Sequence, residues 1–352
     1  MKEKINILIT GSGSPGISGT VYSLKKTNNF VEIKIIGTDI NSCAVGKYLC
    51  DYFFVIPPCS DEKNYLNALL DICKNEKVRI IIPQNTLELN ILSKNRDIFG
   101  KINVDIMVSN QSSIEQSNNK FHLLELSKKI GIPVPKFYLV DNLVDLKTTM
   151  ESLGWPQKRI VIKPPVSNGS RGVRIIDETK NLENIFYFEK PGSLFTNFSI
   201  ISKILSSTFE KLLVMEFIEG EEYTVDFLKT DSSYRCIPRS RNEIKNGITF
   251  SGEVVKNNLI EEYSLILSRK LNLLYCFGFQ FIMQDNIPYI IECNPRVQGS
   301  MVISTLANAN IILDSVLHIL KKPIKPGHIN YGTKFVRYWG GFSENNNEVI
   351  KI

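Results

Sequence analysis

The chain has 352 residues, 43% of them hydrophobic and 22% charged, a folded composition with room for two or three cores, which excludes a disordered chain. Its formal charge of +6 is spread along the sequence rather than clustered, so no nucleic-acid footprint is read and small anionic ligands fit better. Seven cysteines without a Cys-x-x-Cys pair and three histidines speak against structural zinc and a disulfide framework. No apolar run approaches ~18 residues, so a reducing, cytoplasmic setting away from membranes is expected.

In chain order, Ile5–Thr10 reads as a strand, followed by a Gly-rich turn, a helix through Val21–Leu24, and further strands over Ile33–Gly37, Val78–Ile82 and Asp105–Val108. Such alternation predicts a parallel sheet with helices on its faces. Inside it, Gly11-Ser12-Gly13-Ser14-Pro15-Gly16 fits G-x-G-x-x-G after a strand, and Asp39 follows at the spacing of a ribose-binding acid. Pro15 is unusual in a dinucleotide fingerprint, however, and any strand-to-helix turn of this kind needs glycines for close packing. The segment therefore reads as a turn or substrate-facing loop ahead of a NAD site.

The polar run Ser109–Ser113 marks a boundary, after which one helix is expected to about Ile130, ended by Gly131, Pro133 and Pro135. Ile160–Lys163, Ser167–Gly172 and Val173–Ile176 read as strand, Gly-rich loop and strand, which predicts a flexible flap between antiparallel strands. Leu212–Ile218 and Tyr223–Leu228 are strand candidates around Glu219-Gly220-Glu221, and a final helix is expected over Val302–Leu320. The tail after Lys321 ends in Glu344-Asn345-Asn346-Asn347-Glu348 and is expected to fray.

The segment Ile290–Arg296 places Glu292, Asn294 and Arg296 at every second position of a strand-like run. Alternation puts these three on one face and Cys293 on the other, toward the core. Upstream, Phe277–Met283 reads as a strand, and Gln284-Asp285-Asn286 suits a hairpin turn that would bring Gln280 beside Glu292. Hard oxygens from Gln280, Glu292 and Asn294 suit Mg²⁺ bound through phosphates, and Arg296 suits an anion. The plainer alternative is a solvated edge hairpin, which the apolar neighbours disfavour. Arg239 and Arg241, two apart on a strand, suit a carboxylate, or else form a basic solvated strand end.

Taken in order, Asn119-Lys120, Ile160–Pro165, Ser167–Gly172, Glu216–Tyr223, Gln280 and Glu292–Arg296 resemble the ATP-grasp superfamily. The likeness is to one ATP-grasp unit of the carbamoyl-phosphate synthetase large chain, here as a stand-alone ligase, and it spans residues 113–320. It implies an α/β N-terminal domain with a parallel sheet (pre-ATP-grasp, 1–112). An α+β ATP-grasp fold over 113–330 would follow, with a mobile lid subdomain at about 125–213, and then a C-terminal extension over 331–352.

The resemblance also implies roles. Lys120 and Lys163 would hold ATP phosphates, and the loop containing Ser167, Gly169, Ser170 and Gly172 would close over them. Glu216, Phe217 and Ile218 would offer a backbone edge to adenine, and Glu222 would take the ribose hydroxyls, although the register between Glu221 and Glu222 is open. Gln280, Glu292 and Asn294 would bind Mg²⁺, or Mn²⁺ in its place. Arg296 would steady a phosphorylated intermediate, and Arg239 and Arg241 would hold the acid to be phosphorylated. Surface lysines and a solvated acidic turn remain the plainer readings of Lys120, Lys163 and Glu221–Glu222.

The implied activity is ATP-dependent carboxylate–amine ligation through an acyl phosphate, releasing ADP and phosphate. Its partners would be small-molecule acids and amines, without nucleic acid or membrane, and a homodimer is compatible with it. Two other readings stay open. One is a carboxyphosphate-type kinase or carboxylase acting on bicarbonate or carbamate; the other is a nucleotide-binding module without turnover. The chain carries a single grasp unit and no glutamine-hydrolysing domain, which puts bicarbonate in doubt.

Overall fold

The computed structural model describes residues 2–167, 169–189, 193–324, 327–345 and 348–352. By its internal contacts the chain divides into two units built from separate segments. The first comprises Met1–Asn118, Glu222–Gln280 and Cys293–Ile352; the second comprises Asn119–Glu221 and Phe281–Glu292.

In the first unit, β1 (Glu3–Thr10), β2 (Val31–Asp39), β3 (Tyr52–Val55), β4 (Val78–Pro83) and β5 (Asp105–Ile106) form a sheet of order β3-β2-β1-β4-β5. All its pairings are parallel. The strands are continuous apolar runs because both faces are covered: Ile7, Leu8, Ile9, Ile35, Ile36, Ile80, Ile81 and Ile82 are all fully buried. Helices α1 (Ile17–Lys25), α2 (Gly46–Leu49), α3 (Glu62–Asn75), α4 (Leu89–Lys94), α5 (Arg96–Gly100) and α6 (Gln111–Asn118) accompany it. The strand order reverses between β1 and β4, so the loops after these two strands flank a topological switch point.

The glycines after β1 serve packing. A Cβ on Gly16 would stand 2.7 Å from the Gly299 backbone, and one on Gly19 would meet the Val302 side chain at the same distance. Asp39 is occupied by its own neighbourhood, since Oδ2 accepts from Gly13 N–H at 2.7 Å and Oδ1 from Asn41 N–H at 3.0 Å. The turn glycines and Asp39 are thus engaged by contacts within the fold itself.

In the second unit, β6 (Phe137–Asn142), β7 (Ile160–Lys163), β8 (Arg174–Ile176), β9 (Phe195–Thr196) and β10 (Thr208–Glu216) form a sheet of order β6-β10-β7-β8-β9. Strands β7 and β8 run antiparallel with Ile160 opposite Ile176, so the Gly-rich loop joins two antiparallel strands, as expected. Asn168 of that loop lies outside the described residues. Helices α7 (Lys120–Lys129), α8 (Leu143–Ser152), α9 (Leu182–Phe188) and α10 (Phe198–Ile204) complete the unit. Its core gathers Leu146, Met150, Ile160, Ile162, Ile176 and Val214, with Trp155 packed against it and 5.4 Å from the Phe198 ring.

A second sheet of order β15-β14-β11-β12-β13-β16 contains β11 (Glu221–Lys229), β12 (Tyr234–Lys245), β13 (Ile248–Val254), β14 (Tyr275–Gln284), β15 (Ile287–Asn294) and β16 (Lys334–Val336). Residues of β14 and β15 belong to both units. Asp285 and Asn286, with φ of 51° and 62°, form the two-residue connection between these strands; positive φ at both positions is what a type I′ hairpin requires, and Asp and Asn tolerate it. Helices α11 (Asn258–Lys270), α12 (Val302–Leu306) and α13 (Ile311–Ile319) belong to the first unit. Trp339 of this unit lies 5.0 Å from the Phe250 ring.

Three expected elements are corrected. The helix to Ile130 is two helices: Asn119 takes extended backbone (φ −92°, ψ 113°), and its side chain accepts from the N–H groups of Phe121 and His122, capping α7. The final helix is likewise broken. Asn308 has φ 65°, and the Asn310 side chain caps α13 by accepting from Leu313 N–H. The tail does not fray, because β17 (Phe342–Asn345) pairs antiparallel with β18 (Glu348–Lys351); Asn346 and Asn347 between them lie outside the described residues. Glu344 accepts from Lys47 Nζ at 2.5 Å and Tyr48 Oη at 2.8 Å, which fastens the first of these strands to α2.

Replacing Asn119 by Ala leaves two first-turn N–H groups of α7 without their acceptor. A loss of about 1 kcal/mol is expected, read as a lower urea midpoint at unchanged slope.

Candidate functional site

In the second unit, two lysine ammonium groups converge on one dipeptide of β15. Lys120, the first residue of α7, is only 3% exposed. Its Nζ donates to Ser167 O at 3.1 Å and Ser167 Oγ at 3.3 Å, and stands 3.7 Å from Glu292 Oε2. Lys163, the last residue of β7, is 6% exposed and places Nζ 3.5 Å from the Ile291 carbonyl oxygen. Lysines are seldom this buried without a purpose. Two ammonium groups held in a dry setting make a preorganised positive field suited to polyanionic oxygens.

The loop beside them bends through left-handed backbone. Gly169, Ser170 and Gly172 have φ of 57°, 59° and 74°. Glycine takes such angles freely, whereas Ser170 carries the strain that a side chain incurs there, a feature that tends to cluster at ligand clamps. Gly172 has a second reason to lack a side chain, since a Cβ would fall 2.7 Å from the Pro164 ring.

At the end of β10, Glu216 Oε1 accepts from Lys136 N–H at 2.8 Å, while Glu216 N–H donates to Lys136 O at 3.0 Å. Its carboxylate is thus spent on main chain, so what the segment offers a ligand is backbone. Phe217 N–H donates to Arg159 O at 3.3 Å, and the Arg159 guanidinium lies 4.1 Å from the Phe217 ring centroid. Arg159 also bonds Glu219 at 2.7 Å, and Ile218 is buried. The segment Glu216–Ile218 is therefore held firmly on its protein side.

In the first unit, Arg241 gathers the other expected residues. Its Nη1 donates to Glu222 Oε2 at 2.8 Å and to Gln280 Oε1 at 3.4 Å, Nε donates to Thr249 Oγ1 at 3.0 Å, and Nη2 to Gly247 O at 2.8 Å. The guanidinium orients an acid and an amide rather than facing solvent. Gln280, placed beside Glu292 by the sequence reading, has its side-chain oxygen turned toward Arg241.

Arg239 requires a correction. It is fully buried, with Nε and Nη2 forming a fork on Asp226 at 2.7 and 2.8 Å and Nη1 donating to Ser300 Oγ at 3.2 Å. Ser304 Oγ adds a bond to Asp226 Oδ2 at 2.5 Å. An arginine whose fork is matched by an internal carboxylate has no face for a substrate acid, so the expected clamp of Arg239 and Arg241 does not form. The signal that was missed is Asp226, a charge inside the apolar run Val225–Leu228.

Arg296 is a second correction. Strand β15 ends at Asn294, and the tight Arg296 N–H to Asn294 O bond of 2.7 Å turns the chain after Pro295. Alternation therefore relates Glu292 to Asn294 but does not extend to Arg296. The guanidinium instead reaches Thr86 Oγ1 at 3.0 Å, Val297 O at 2.9 Å and Asn294 Oδ1 at 3.4 Å. Cys293 is buried.

Near Thr86 lies a cluster the sequence reading passed over. Glu88 is 6% exposed and accepts from Thr10 Oγ1, and burial pushes its carboxyl up to about 7 despite the Thr10 bond and the Arg296 charge. Gln84 is buried, accepts from Ser14 Oγ at 2.7 Å, and has no partner for Nε2 among the described residues. The position of these residues at the C-terminal end of β4, beside the switch point, was the available signal.

For a divalent cation, the donors on β15 are the Glu292 carboxylate, 24% exposed, and the Asn294 amide oxygen. Among the described residues no cluster of three or more His, Cys, Asp or Glu side chains forms a closed cage. Hard oxygens in small number, with Lys120 standing off the carboxylate at 3.7 Å, fit Mg²⁺ held partly by phosphate oxygens.

Comparison with known proteins bears on the fold. Residues 208–337 match a family model described as ATP-grasp in the biosynthetic pathway with Ter operon, and residues 7–107 match the PylC-like N-terminal domain. N5-carboxyaminoimidazole synthetase from Staphylococcus aureus, complexed with ADP, superposes with a TM-score of 0.68 at 17% identity, covering 94% of this chain and 81% of that one. L-amino acid ligase from Bacillus licheniformis gives 0.65 at 15% identity, over 91% and 75%. Biotin carboxylase from Campylobacter jejuni, as its β,γ-ATP complex, gives 0.64 at 15%, over 93% and 73%. The chain has the ATP-grasp fold, preceded by a parallel-sheet N-terminal domain. No described helix is long and apolar enough to cross a membrane.

Two outcomes follow from the buried charges. Arg239→Ala strands Asp226 in the interior and is expected to cost roughly 3–5 kcal/mol, whereas Arg241→Ala, whose partner Glu222 is half-buried, should stay folded; denaturant melts of the two variants decide this. Glu88 has a folded pKa of about 7 against 4.5 when exposed, so the folded state binds its proton more tightly than the unfolded state does. The stability it confers is complete below pH 4.5 and is lost as pH rises through 7, a change of about 3 kcal/mol at 1.36 kcal/mol per unit. The stability difference between wild type and Glu88→Gln should shift by that order between pH 4.5 and 8. Asp314, also raised, to about 6, is common to both proteins and cancels.

Proposed function

We propose that this ATP-grasp chain is an ATP-dependent carboxylate–amine ligase. The observation that carries the reading is the convergence of Lys120 and Lys163, both deeply buried, on Ile291 and Glu292. Buried ammonium groups gathered from a helix start and a strand end are costly to maintain, and transfer of a phosphoryl group is the chemistry that repays such a field.

In this reading the lysines hold the phosphates of ATP, and the loop containing Ser167, Gly169, Ser170 and Gly172 covers them with backbone N–H groups. The backbone of Phe217 and Ile218 meets adenine, with Glu216 fixing that segment through Lys136. Glu222, oriented by Arg241, accepts from the ribose hydroxyls. Glu292 and Asn294 would hold Mg²⁺, which would supply charge neutralisation for phosphoryl transfer; Gln280 would join them only by turning its side-chain oxygen from Arg241. The substrate carboxylate takes the γ-phosphoryl group, ADP departs, and Arg296 stabilises the charge of the resulting acyl phosphate. The amine attacks the acyl carbon, the phosphate leaves with the C–O bond pair, and the amine loses a proton to give the amide.

Catalysis is positioning and charge neutralisation, so no protein nucleophile is called for. The similarity in fold to an amino acid ligase and to carboxyaminoimidazole synthetases supports ATP-dependent C–N bond formation as the class.

Lys163→Met, which keeps bulk and removes charge, and Glu292→Gln should each lower ADP release by about 10²-fold or more with the fold intact. The assay is ADP release across a panel of carboxylates and amines, with hydroxylamine trapping of the acyl phosphate in the absence of amine. Near-wild-type turnover by either variant at saturating Mg-ATP would overturn the assignment. Bicarbonate-stimulated ADP release without an organic acid would instead indicate the carboxylase class.

A further inference from the structure

The last strand of the six-stranded sheet, β16 (Lys334–Val336), lies at its edge, and among the described residues no strand pairs with its outer side. Its main-chain polar groups are divided between two directions. Arg337 N–H donates to Phe250 O at 2.7 Å and Val254 N–H donates to Thr333 O at 3.0 Å, so the odd-numbered residues bond toward β13. By the alternation of an antiparallel ladder, the N–H and C=O groups of Lys334, Val336 and Tyr338 point away from the sheet. Such an edge is a template for another strand, and folded proteins usually blunt it with charge, proline or a bulge.

The side chains leave this edge apolar. Phe335 packs on the core, and Arg337 turns inward to donate to Pro15 O at 3.2 Å and Gly299 O at 3.0 Å. Alternation then sets Val336 and Tyr338 on the opposite face, where they are 73% and 75% exposed. The apolar surface continues past the strand, since Trp339, Ile350 and Ile352 are exposed as well. A Cβ on Gly340 would stand 3.0 Å from Ile352 O and 3.5 Å from the Tyr338 ring, so Tyr338 and Ile352 are neighbours across that glycine. Together the five side chains leave on the order of 700 Å² uncovered, more than a monomer commonly shows in one patch and close to what each partner gives a standard interface.

We propose that β16 pairs with β16 of a second copy of this chain, antiparallel about a two-fold axis at Val336, so that two six-stranded sheets run into one across a homodimer. The pairing does not depend on the ligase reading. A second copy fits because the edge is self-complementary. Val336 meets the partner's Val336 through a reciprocal pair of N–H to O=C bonds, and Lys334 stands opposite the partner's Tyr338, an ammonium group beside a ring. The exposed charges at its border, Lys334 and Lys351 with Glu348, are of both signs. They fall short of the basic cluster by which an anionic membrane would be bound.

The test is sedimentation equilibrium of the full chain at micromolar concentration, where the expected mass is twice the 40.0 kDa of one chain. Val336→Pro removes an outward N–H and spares the ladder to β13, and Tyr338→Glu sets a charge on the apolar face; each should weaken the dimer by about 100-fold or more. Val144→Glu, at a similarly exposed position of the second unit, should leave it unchanged. Val336→Cys reads the register, because Cα atoms facing each other across the axis lie within reach of a disulfide, and mild oxidation should link two chains in excess over wild type. If Val336→Pro fails to fold, as judged by its urea midpoint, Tyr338→Glu decides. A monomeric wild type, a dimer that survives Tyr338→Glu, or no cross-link through Val336→Cys overturns the proposal. Monomers that co-sediment with phosphatidylserine vesicles would assign the patch to a membrane instead.

Discussion

The ion pair of Asp226 and Arg239 organises the first unit. Both side chains are fully buried, and both are satisfied only because β11 and β12 face them toward each other and Ser300 and Ser304 cover the remaining valences. A buried pair of this kind adds little net stability but tolerates no other arrangement, since either charge alone is heavily penalised. Its reach extends through α12. Ser304 and Val302 lie on that helix, Val302 meets Gly19 of α1, and Thr305 and Ser23 share a hydroxyl contact of 2.7 Å. The turn after β1 thus inherits its position from an ion pair two elements away. Arg241, two residues beyond Arg239, is aimed at Glu222 by the same strand.

The second unit manages charge by a different device. Lys120 is fixed by the cap at Asn119, which starts α7 at that residue, and by its own N–H donating to Pro165 O at 2.8 Å. Lys163 is fixed by the ladder of β7 with β10. Lys120 also stands 3.7 Å from the Glu292 carboxylate, an ion pair longer than a hydrogen bond. Arg239 differs in that its fork is matched by the Asp226 carboxylate within the fold.

Sequence reading reached the fold through patterns that depend only on neighbours along the chain. Isoleucine-rich runs separated by helix-length segments specify a covered parallel sheet, and the ordered lysine, glycine and carboxylate segments specify the grasp architecture. Breaks inside helices were harder to see, since Asn119 and Asn310 are compatible with a helix interior until their side chains find backbone N–H groups to cap. Arginine roles were harder still. The pattern Arg-Ser-Arg looks the same whether a guanidinium faces a ligand or an aspartate thirteen residues earlier, and only pairing across β11 and β12 distinguishes the two. Arg296 was misplaced because alternation was continued past Pro295, where a strand cannot donate its ladder hydrogen bond. Gln84 and Glu88 carry no local signature at all; the order of strands in the sheet gives them meaning.

The sequence contains two tryptophans, and the fold assigns one to each unit. Trp155 packs beside Phe198 on the core of the second unit, whereas Trp339 is 73% exposed beside Phe250 in the first. Indole emission depends on the polarity around the ring, so the chain carries a built-in pair of fluorophores with different surroundings. A phenylalanine in place of either one would leave a single reporter, and the optical melting of each unit could then be followed in the intact protein without a label.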